Sequence, residues 1–260
     1  MPQIAQNSSG DIPGLLECDN GAALAFHRHD GDGPGVVFLG GFMSDMTGTK
    51  AVVLEEHCRK TGQAFLRLDY RGHGASSDDF ANGCIGDWKD DAIAALDALT
   101  DGPQVVVGSS MGGWIMLLAA LARPDRIAGL VGIAAAPDFT ERLMWPKFSD
   151  DIRQTIEREG VYYAPTEYGD TPYPITKRLI EDGRNHLLLD AEIDIDCPVH
   201  LLHGQRDPDV PWEHSLAIAQ RLRHEAVSVT LIKDGDHRLS RDEDLALLCR
   251  TVDALCQNCG

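Results

Sequence analysis

The stretch that decides the fold runs from Gln104 to Ala122: Gln-Val-Val-Val-Gly-Ser-Ser-Met-Gly-Gly-Trp-Ile-Met-Leu-Leu-Ala-Ala-Leu-Ala. Val105, Val106 and Val107 form a short β-branched run, which suits a strand buried on both faces. From Met111 to Ala122 the residues are good helix formers, and Pro124 stops them. Between strand and helix stands Gly108-Ser109-Ser110-Met111-Gly112. Such a turn brings two backbones together, and the glycines lack the Cβ atoms that would clash. The apex residue, Ser110, is expected in a strained conformation with its hydroxyl exposed at the strand's C-terminal end.

This is the nucleophile-elbow pattern G-x-S-x-G. The helix that starts there aims its free N–H groups and its positive dipole end at the place where an oxyanion would form. Alone, the pattern reads equally as a Gly/Ser turn. The strand before and the helix after raise it above that, and an acid and a histidine in the right places would settle it.

Working outward, strands and helices alternate. Leu15–Cys18 and Ala22–His29 flank Asn20-Gly21, a hairpin signal. Val36–Leu39 reads as a buried strand that ends in Gly40-Gly41-Phe42-Met43. Thr49–Thr61 reads as a helix, Ala64–Leu68 as a strand, Asp87–Leu99 as an amphipathic helix and Ile127–Ala135 as a strand. Val199–Leu202 and Val227–Ile232 are the last strands. A helix reaching about Arg223 lies between them, and the helix Asp242–Leu255 closes the chain. The alternation predicts an α/β fold, a mostly parallel sheet of about eight strands with helices on both faces. The whole chain, 1–260, is expected to be one domain.

From Phe139 to Asp196 the character changes. Trp145, Phe148, Tyr162, Tyr163, Tyr168 and Tyr173 crowd a stretch rich in Pro, Asp and Glu, with short helices suggested near Arg153–Gly160 and Ile175–Glu181. That is too long for a plain loop inside a compact domain. It is expected to form a small helical cap, residues 139–196, over the C-terminal edge of the sheet. Trp145, Phe148 and Tyr162 would then line a substrate pocket together with Gly41 and Met43.

Composition bounds the function. Of 260 residues, 43% are hydrophobic, and 41 acidic residues against 23 basic ones give a formal charge of −18. That surface repels nucleic acid and anionic membranes. No apolar run reaches the ~18 residues of a spanning helix, so stable membrane insertion is not expected. The opening residues, Met1 to Gly14, show neither a secretory signal nor a transit peptide, so a cytoplasmic location is expected. Seven scattered cysteines argue against a disulfide framework. The pair Cys256 and Cys259, with no second pair, suggests no metal or redox work, and solvated strand residues are the better reading of His27 and His29. No cofactor and no metal are expected. A monomer and a dimer are both open.

The remaining pieces of chemistry lie after the elbow. His203-Gly-Gln-Arg-Asp-Pro-Asp-Val-Pro211 follows one later strand, and Asp234-Gly-Asp-His-Arg238 follows the next. The order Ser110, Asp207, His237 is that of a Ser…Asp…His triad, each just past a strand's C-terminal end, where ligands bind in open parallel sheets. His237 would take the serine's proton, and Asp207 would hold its tautomer and stabilise the imidazolium. Asp209 and Asp138 are rivals for the acid, and Asp236 points away along the backbone. The N–H groups of Met111 and Phe42 would bind the oxyanion. His73 precedes the nucleophile and is flanked by glycines, which favours a turn-stabilising role.

The loop Asp69-Tyr-Arg-Gly-His-Gly-Ala-Ser76, the elbow Gly108–Trp114, His203–Pro211 and Gly235–Arg238 together resemble the α/β-hydrolase superfamily from about Gly14 onward. That family's G-x-x-D-x-x-V-P pattern falls on Gly204 to Pro211 and carries the acid onto Asp207. More narrowly, Phe42–Ala51, Gly102–Trp114, Leu201–Gly204, Val210–Trp212 and Asp236–Arg238 are similar to the abhydrolase-domain branch that includes the mitochondrial palmitoyl-protein thioesterase, also described as an acyl-glucuronide esterase. The resemblance implies a serine esterase or acyl-thioesterase acting on a small-molecule or acylated substrate through an acyl-enzyme. Many relatives carry His-Gly where this chain has Gly40-Gly41, and the mitochondrial location does not carry over without a presequence. A C–C bond hydrolase, a peptidase or an acyltransferase with the same triad, and a non-catalytic ligand-binding protein of this fold, stay open as alternatives.

Overall fold

A computed structural model of the chain describes residues 3–5, 12–166 and 171–258. Tyr168 and Cys259 lie outside the described residues. Eleven strands and seven α-helices follow one another along these residues. Nine strands form the main sheet: β1 (Gln3–Ala5), β2 (Gly14–Glu17), β3 (Ala23–His29), β4 (Asp32–Leu39), β5 (Gln63–Leu68), β6 (Gln104–Ser109), β7 (Ile127–Ile133), β10 (Val199–Gly204) and β11 (Val227–Ile232). Their spatial order is β1-β2-β3-β5-β4-β6-β7-β10-β11. β1, β2 and β3 pair antiparallel, and from β5 to β11 every neighbouring pair is parallel. The sheet is thus one strand larger than expected, the addition being the edge strand β1.

The valine run shows how the sheet is buried. Val106 faces a core shared with Val37, Leu39, Leu66 and Leu68 and covered by α2 (Ile85–Leu99), α3 (Met111–Ala122) and α6 (Glu213–Arg221). Val105 and Val107 face the other way, onto Val36, Phe38 and Ile133, under α1 (Thr49–Thr61) and α7 (Asp242–Asn258). A strand buried on both faces needs no polar alternation, which is why β4 and β6 read as continuous apolar runs.

Between β7 and β10 the chain leaves the sheet. It forms helical turns over Thr140–Lys147, then α4 (Asp150–Glu159), the antiparallel hairpin β8 (Val161–Ala164) and β9 (Tyr173–Thr176), and α5 (Lys177–Gly183). The two helices were expected there; the hairpin was not. Ile175 belongs to β9, and α5 starts only at Lys177, where Thr176 accepts the Leu179 N–H at 3.0 Å. Ile156, Ile175 and Ile180 form a small core of this segment.

The segment is pinned to the main body at several points. The fully buried Asp138 accepts the N–H groups of Leu188 and Leu189, both at 2.8 Å, and Arg142 at 3.3 Å. Asp182 accepts the Gly86 N–H of α2 at 2.8 Å, and Arg178 pairs with Asp87 at 2.7 Å. The carboxylate of Asp138, the rival of Asp207 in the sequence, is thus taken up by backbone N–H groups at the far end of the segment.

Candidate active site

The elbow has the geometry that the sequence predicts. Ser110 sits at φ 55° and ψ −118°, a left-handed conformation that an L side chain rarely adopts. Tertiary bonds hold it there: its N–H donates to Ile133 O at 2.9 Å, and its carbonyl accepts from Gly113 and Ala136. Gly112 is required by a close approach. A Cβ there would stand 2.2 Å from the carbonyl oxygen of Leu39 and 2.5 Å from that of Gly40. The first turn of α3 is thus pressed directly against the end of β4.

The loop after β4 lies beside the serine. A Cβ on Gly41 would be 3.4 Å from Ser110 Cβ. Tyr70 OH donates to Gly40 O at 3.4 Å, the Met46 N–H donates to Asp69 at 2.6 Å, and Arg67 donates to Met46 O at 2.6 Å. Asp69 and Tyr70 of the 69–76 loop therefore hold the Gly40–Met46 loop in place. Among the described residues, neither the Phe42 N–H nor the Met111 N–H donates to another protein group. Met43, next in the loop, has φ 58°.

Asp207 and His237 come from the loops after β10 and β11. Gly204 allows these loops to meet, since a Cβ there would be 2.3 Å from Gly235 O. His237 Nδ1–H donates to Asp207 Oδ2 at 2.7 Å, and Ser110 Oγ–H donates to His237 Nε2 at 3.1 Å. The other oxygen of Asp207 accepts the N–H groups of Asp209 and Val210 at 2.8 and 2.9 Å. Burial would raise the Asp207 pKa, but the hydrogen bonds from His203 and His237 and the charge of His237 hold it well below the usual carboxylate range. Asp236 turns away, accepting the Leu239 N–H at 2.9 Å.

Among the described residues, Asp207, Asp209 and His237 bring possible ligand atoms within 4.8 Å of one another. Asp207 and His237 are also bonded to each other, and His237 to Ser110 and Asp207 to backbone N–H groups.

His73 sits in the turn of the 69–76 loop, buried against Tyr70, Phe80 and Trp88, with Nδ1 3.2 Å from Arg71 O. Burial pushes its pKa down to about 4 against that bond, so it is uncharged at neutral pH. The aromatic residues expected to line a pocket form their own cluster. Trp145 meets Phe148 at 6.3 Å, Phe148 meets Tyr162 at 5.9 Å, and the guanidinium groups of Arg153 and Arg184 lie over Trp145. Phe42 links the two halves: its ring packs edge-on to Phe80, Trp88, Phe139 and Tyr173, and against the small core of the 139–196 segment.

Two residues of the site had no role in the sequence reading. His203 is next to last in β10, fully buried, with Nε2 3.2 Å from Asp207 Oδ2, and Ser215 on α6 lies 2.7 Å from its Nδ1. A histidine four positions before the acid was in plain view, but its partner Ser215 is twelve residues on and was not.

A strand–turn–helix carrying a strained serine, bonded to a histidine and an aspartate from the two following strand ends, defines a class. The family described as the alpha/beta hydrolase fold matches residues 34–179, and the chain belongs to that family, a family of hydrolases. It is an enzyme. Palmitoyl-protein thioesterase ABHD10, mitochondrial, from Rattus norvegicus is 41% identical over 90% of this chain and 78% of its own length. The protein of the same name from Homo sapiens is 39% identical over 89% of this chain and 76% of its own length. The solved structure of alpha/beta hydrolase domain-containing protein 10 from mouse superposes with a TM-score of 0.85 at 37% identity, covering all of both chains. A putative hydrolase from Agrobacterium vitis S4 gives 0.87 at 35%, over 98% of each.

The relatives correct one expectation. The cytoplasmic location read from residues 1–14 does not stand, because both curated relatives are named as mitochondrial. The composition of a chain's first residues was too narrow a basis for it. Among the described residues no helix is long and apolar enough to cross a membrane.

Proposed function

We propose that this chain is a serine hydrolase that cleaves acyl thioesters or carboxylic esters through an acyl-enzyme, with Ser110 as nucleophile, His237 as base and Asp207 as acid. The observation that carries this reading is the unbroken bonding from Ser110 Oγ through His237 to Asp207, at 3.1 and 2.7 Å. The names of the relatives at about 40% identity favour thioesters among the possible substrates.

Ser110 Oγ attacks the acyl carbonyl carbon while its proton passes to His237 Nε2. The negative oxygen that forms is held by the N–H groups of Phe42 and Met111, at the positive end of α3. Asp207 keeps His237 Nδ1 protonated and offsets the imidazolium charge. The carbon–sulfur or carbon–oxygen bond breaks, and the leaving group takes the proton from Nε2. A water then attacks the acyl carbon, gives its proton to Nε2, and Ser110 recovers it as the acid departs. No step needs a metal or a cofactor.

The segment 139–196 acts as a cap within a single domain, and the acyl chain lies against the apolar rings gathered around Phe42 and Trp145. Each buried methylene contributes about 0.8 kcal/mol. A hydrolysis series over p-nitrophenyl esters and S-acyl peptides of graded length tests both statements. kcat/KM should rise about three- to fourfold per methylene from C2 until the pocket is full, and thioesters should be turned over. No turnover of any acyl ester or thioester would sink the hydrolase reading. A flat length profile would sink the acyl pocket alone.

A further inference from the structure

The side chain of Asp207 is completely buried, and its Oδ2 faces a second imidazole besides His237. His203 Nε2 lies 3.2 Å from that oxygen and 3.0 Å from the carbonyl oxygen of Val210. Both neighbours can only accept, so Nε2 carries a proton. On the opposite side of the ring, Ser215 Oγ stands 2.7 Å from Nδ1. Ser215 is itself fully buried on α6, with its backbone held by the Trp212 carbonyl at 3.1 Å. The bonding therefore runs on past the acid: Ser110, His237, Asp207, His203, Ser215.

A buried histidine at a strand end needs some acceptor, and the Val210 carbonyl alone would satisfy it. Its contact with the acid has a chemical consequence. Every hydrogen bond donated to Oδ2 disperses the carboxylate's charge and fixes the oxygen's position. We infer that His203 is a positioning residue for the acid, holding Asp207 Oδ2 in line with His237 Nδ1 and drawing off part of the carboxylate charge that faces the imidazole. Ser215 sets the orientation of His203 and makes its Nε2–H a stronger donor. The inference rests on Asp207 and His237 acting as acid and base.

The charged groups around Asp207 and His237 stay unchanged in the test. Asp209 lies beside Asp207, and Asp236 and Arg238 flank His237. Lys50 of α1 donates to Arg238 O at 2.5 Å, and His214 on α6 lies close enough to His203 for their charges to interact. Removing the Nε2–H leaves Oδ2 with more of its charge, which favours the imidazolium form of His237. The acid limb of the kcat profile should then move to higher pH.

The test compares wild type, His203→Phe, His203→Gln, Ser215→Ala and Asp207→Asn by kcat, KM and the pH profile of kcat. His203→Phe should lower kcat about ten- to a hundredfold, the size of a lost bond to a charged group, with KM little changed. Its acid limb should rise by about half a unit or more. His203→Gln, whose side-chain amide offers an N–H near the position of Nε2, should restore much of both. Ser215→Ala removes one oxygen only, so it carries the same test if the phenyl variant fails to fold, with smaller changes in the same direction. A purely structural residue would lower the unfolding temperature without moving the limb. If Asp207→Asn is inactive while the His203 and Ser215 variants keep the wild-type kcat and limb, the positioning role is wrong and the triad stands. If Asp207→Asn stays active, the triad reading fails and the role of His203 with it.

Discussion

A single methyl group placed at Gly112 should disable the site from behind. In Gly112→Ala the new Cβ would stand 2.2 Å from Leu39 O, where ordinary contact begins at 3.4 Å. The Cβ is rigidly fixed to the backbone of α3 and the oxygen belongs to that of β4, so the first turn of α3 and the end of β4 must part by about 1.2 Å (3.4 − 2.2). Ser110 precedes Gly112 by two residues, and Phe42 follows Leu39 by three. A misplacement of about 1 Å between reacting groups costs on the order of a hundredfold in rate. Overpacking of this kind destabilises by about 1–3 kcal/mol, partly offset by the roughly 0.5–1 kcal/mol that alanine gains over glycine inside a helix. The comparison is Gly40→Ala, where an added Cβ meets nothing within 4 Å. Steady-state kinetics on one p-nitrophenyl ester, with thermal unfolding alongside, should show kcat down about a hundredfold in Gly112→Ala and near wild type in Gly40→Ala. A Gly112→Ala enzyme with full kcat and an unchanged unfolding temperature would refute the argument that this contact sets the distance between nucleophile and oxyanion donor.

Other outcomes follow from the same contacts. Ser110→Gly relieves the left-handed strain at φ 55° and should raise stability by about 1 kcal/mol while abolishing turnover, as read by thermal unfolding; an equal or lower unfolding temperature contradicts the strain. Asp138→Ala strands one buried and one half-buried N–H group and should destabilise by about 3 kcal/mol, whereas Asp207→Asn should lose activity with a much smaller change in stability; the reverse pattern would exchange the roles of the two aspartates. Asp182 faces burial, which raises its pKa, but bonds from His186, Gly86 and Cys84 bring it down to about 2. A carboxyl depressed on folding stabilises above its ordinary range, near 4, and that share is lost as the pH falls from about 4 to 2. Asp182→Asn should therefore flatten the fall in stability over that window in pH-dependent denaturant titrations, and an unchanged slope would contradict it.

Much of this architecture is legible in the chain because its signals are local. The valines of β6, the helix formers after Ser110 and Pro124 bound one unit with no tertiary information. The helix Thr49–Thr61 ends where Gly62 takes up a left-handed φ of 78°. Ser110, Asp207 and His237 are likewise each placed by the strand that precedes them. What escaped depends on pairing between distant segments. β1 is a three-residue edge strand, Gln-Ile-Ala, visible only through its partner β2. The hairpin β8–β9 alternates too little to announce itself, and Pro174 within β9 argues against a strand by composition. The cluster of Trp145, Phe148 and Tyr162 was readable as aromatic content, but its packing under Arg153 and Arg184 was not. His203 was read as part of a motif, and only its distance to Asp207 and Ser215 gives it a part in the site.

The claim on which the rest depends is that Ser110 becomes covalently acylated during turnover. The direct measurement is acid quench within the first turnovers of a slowly deacylating p-nitrophenyl ester, followed by peptide mass spectrometry. The account predicts the acyl mass on the peptide carrying Ser110, absent in Ser110→Ala and strongly reduced in His237→Ala. Continued turnover with no acyl adduct on Ser110, or with the acyl group on one of the seven cysteines instead, would contradict it.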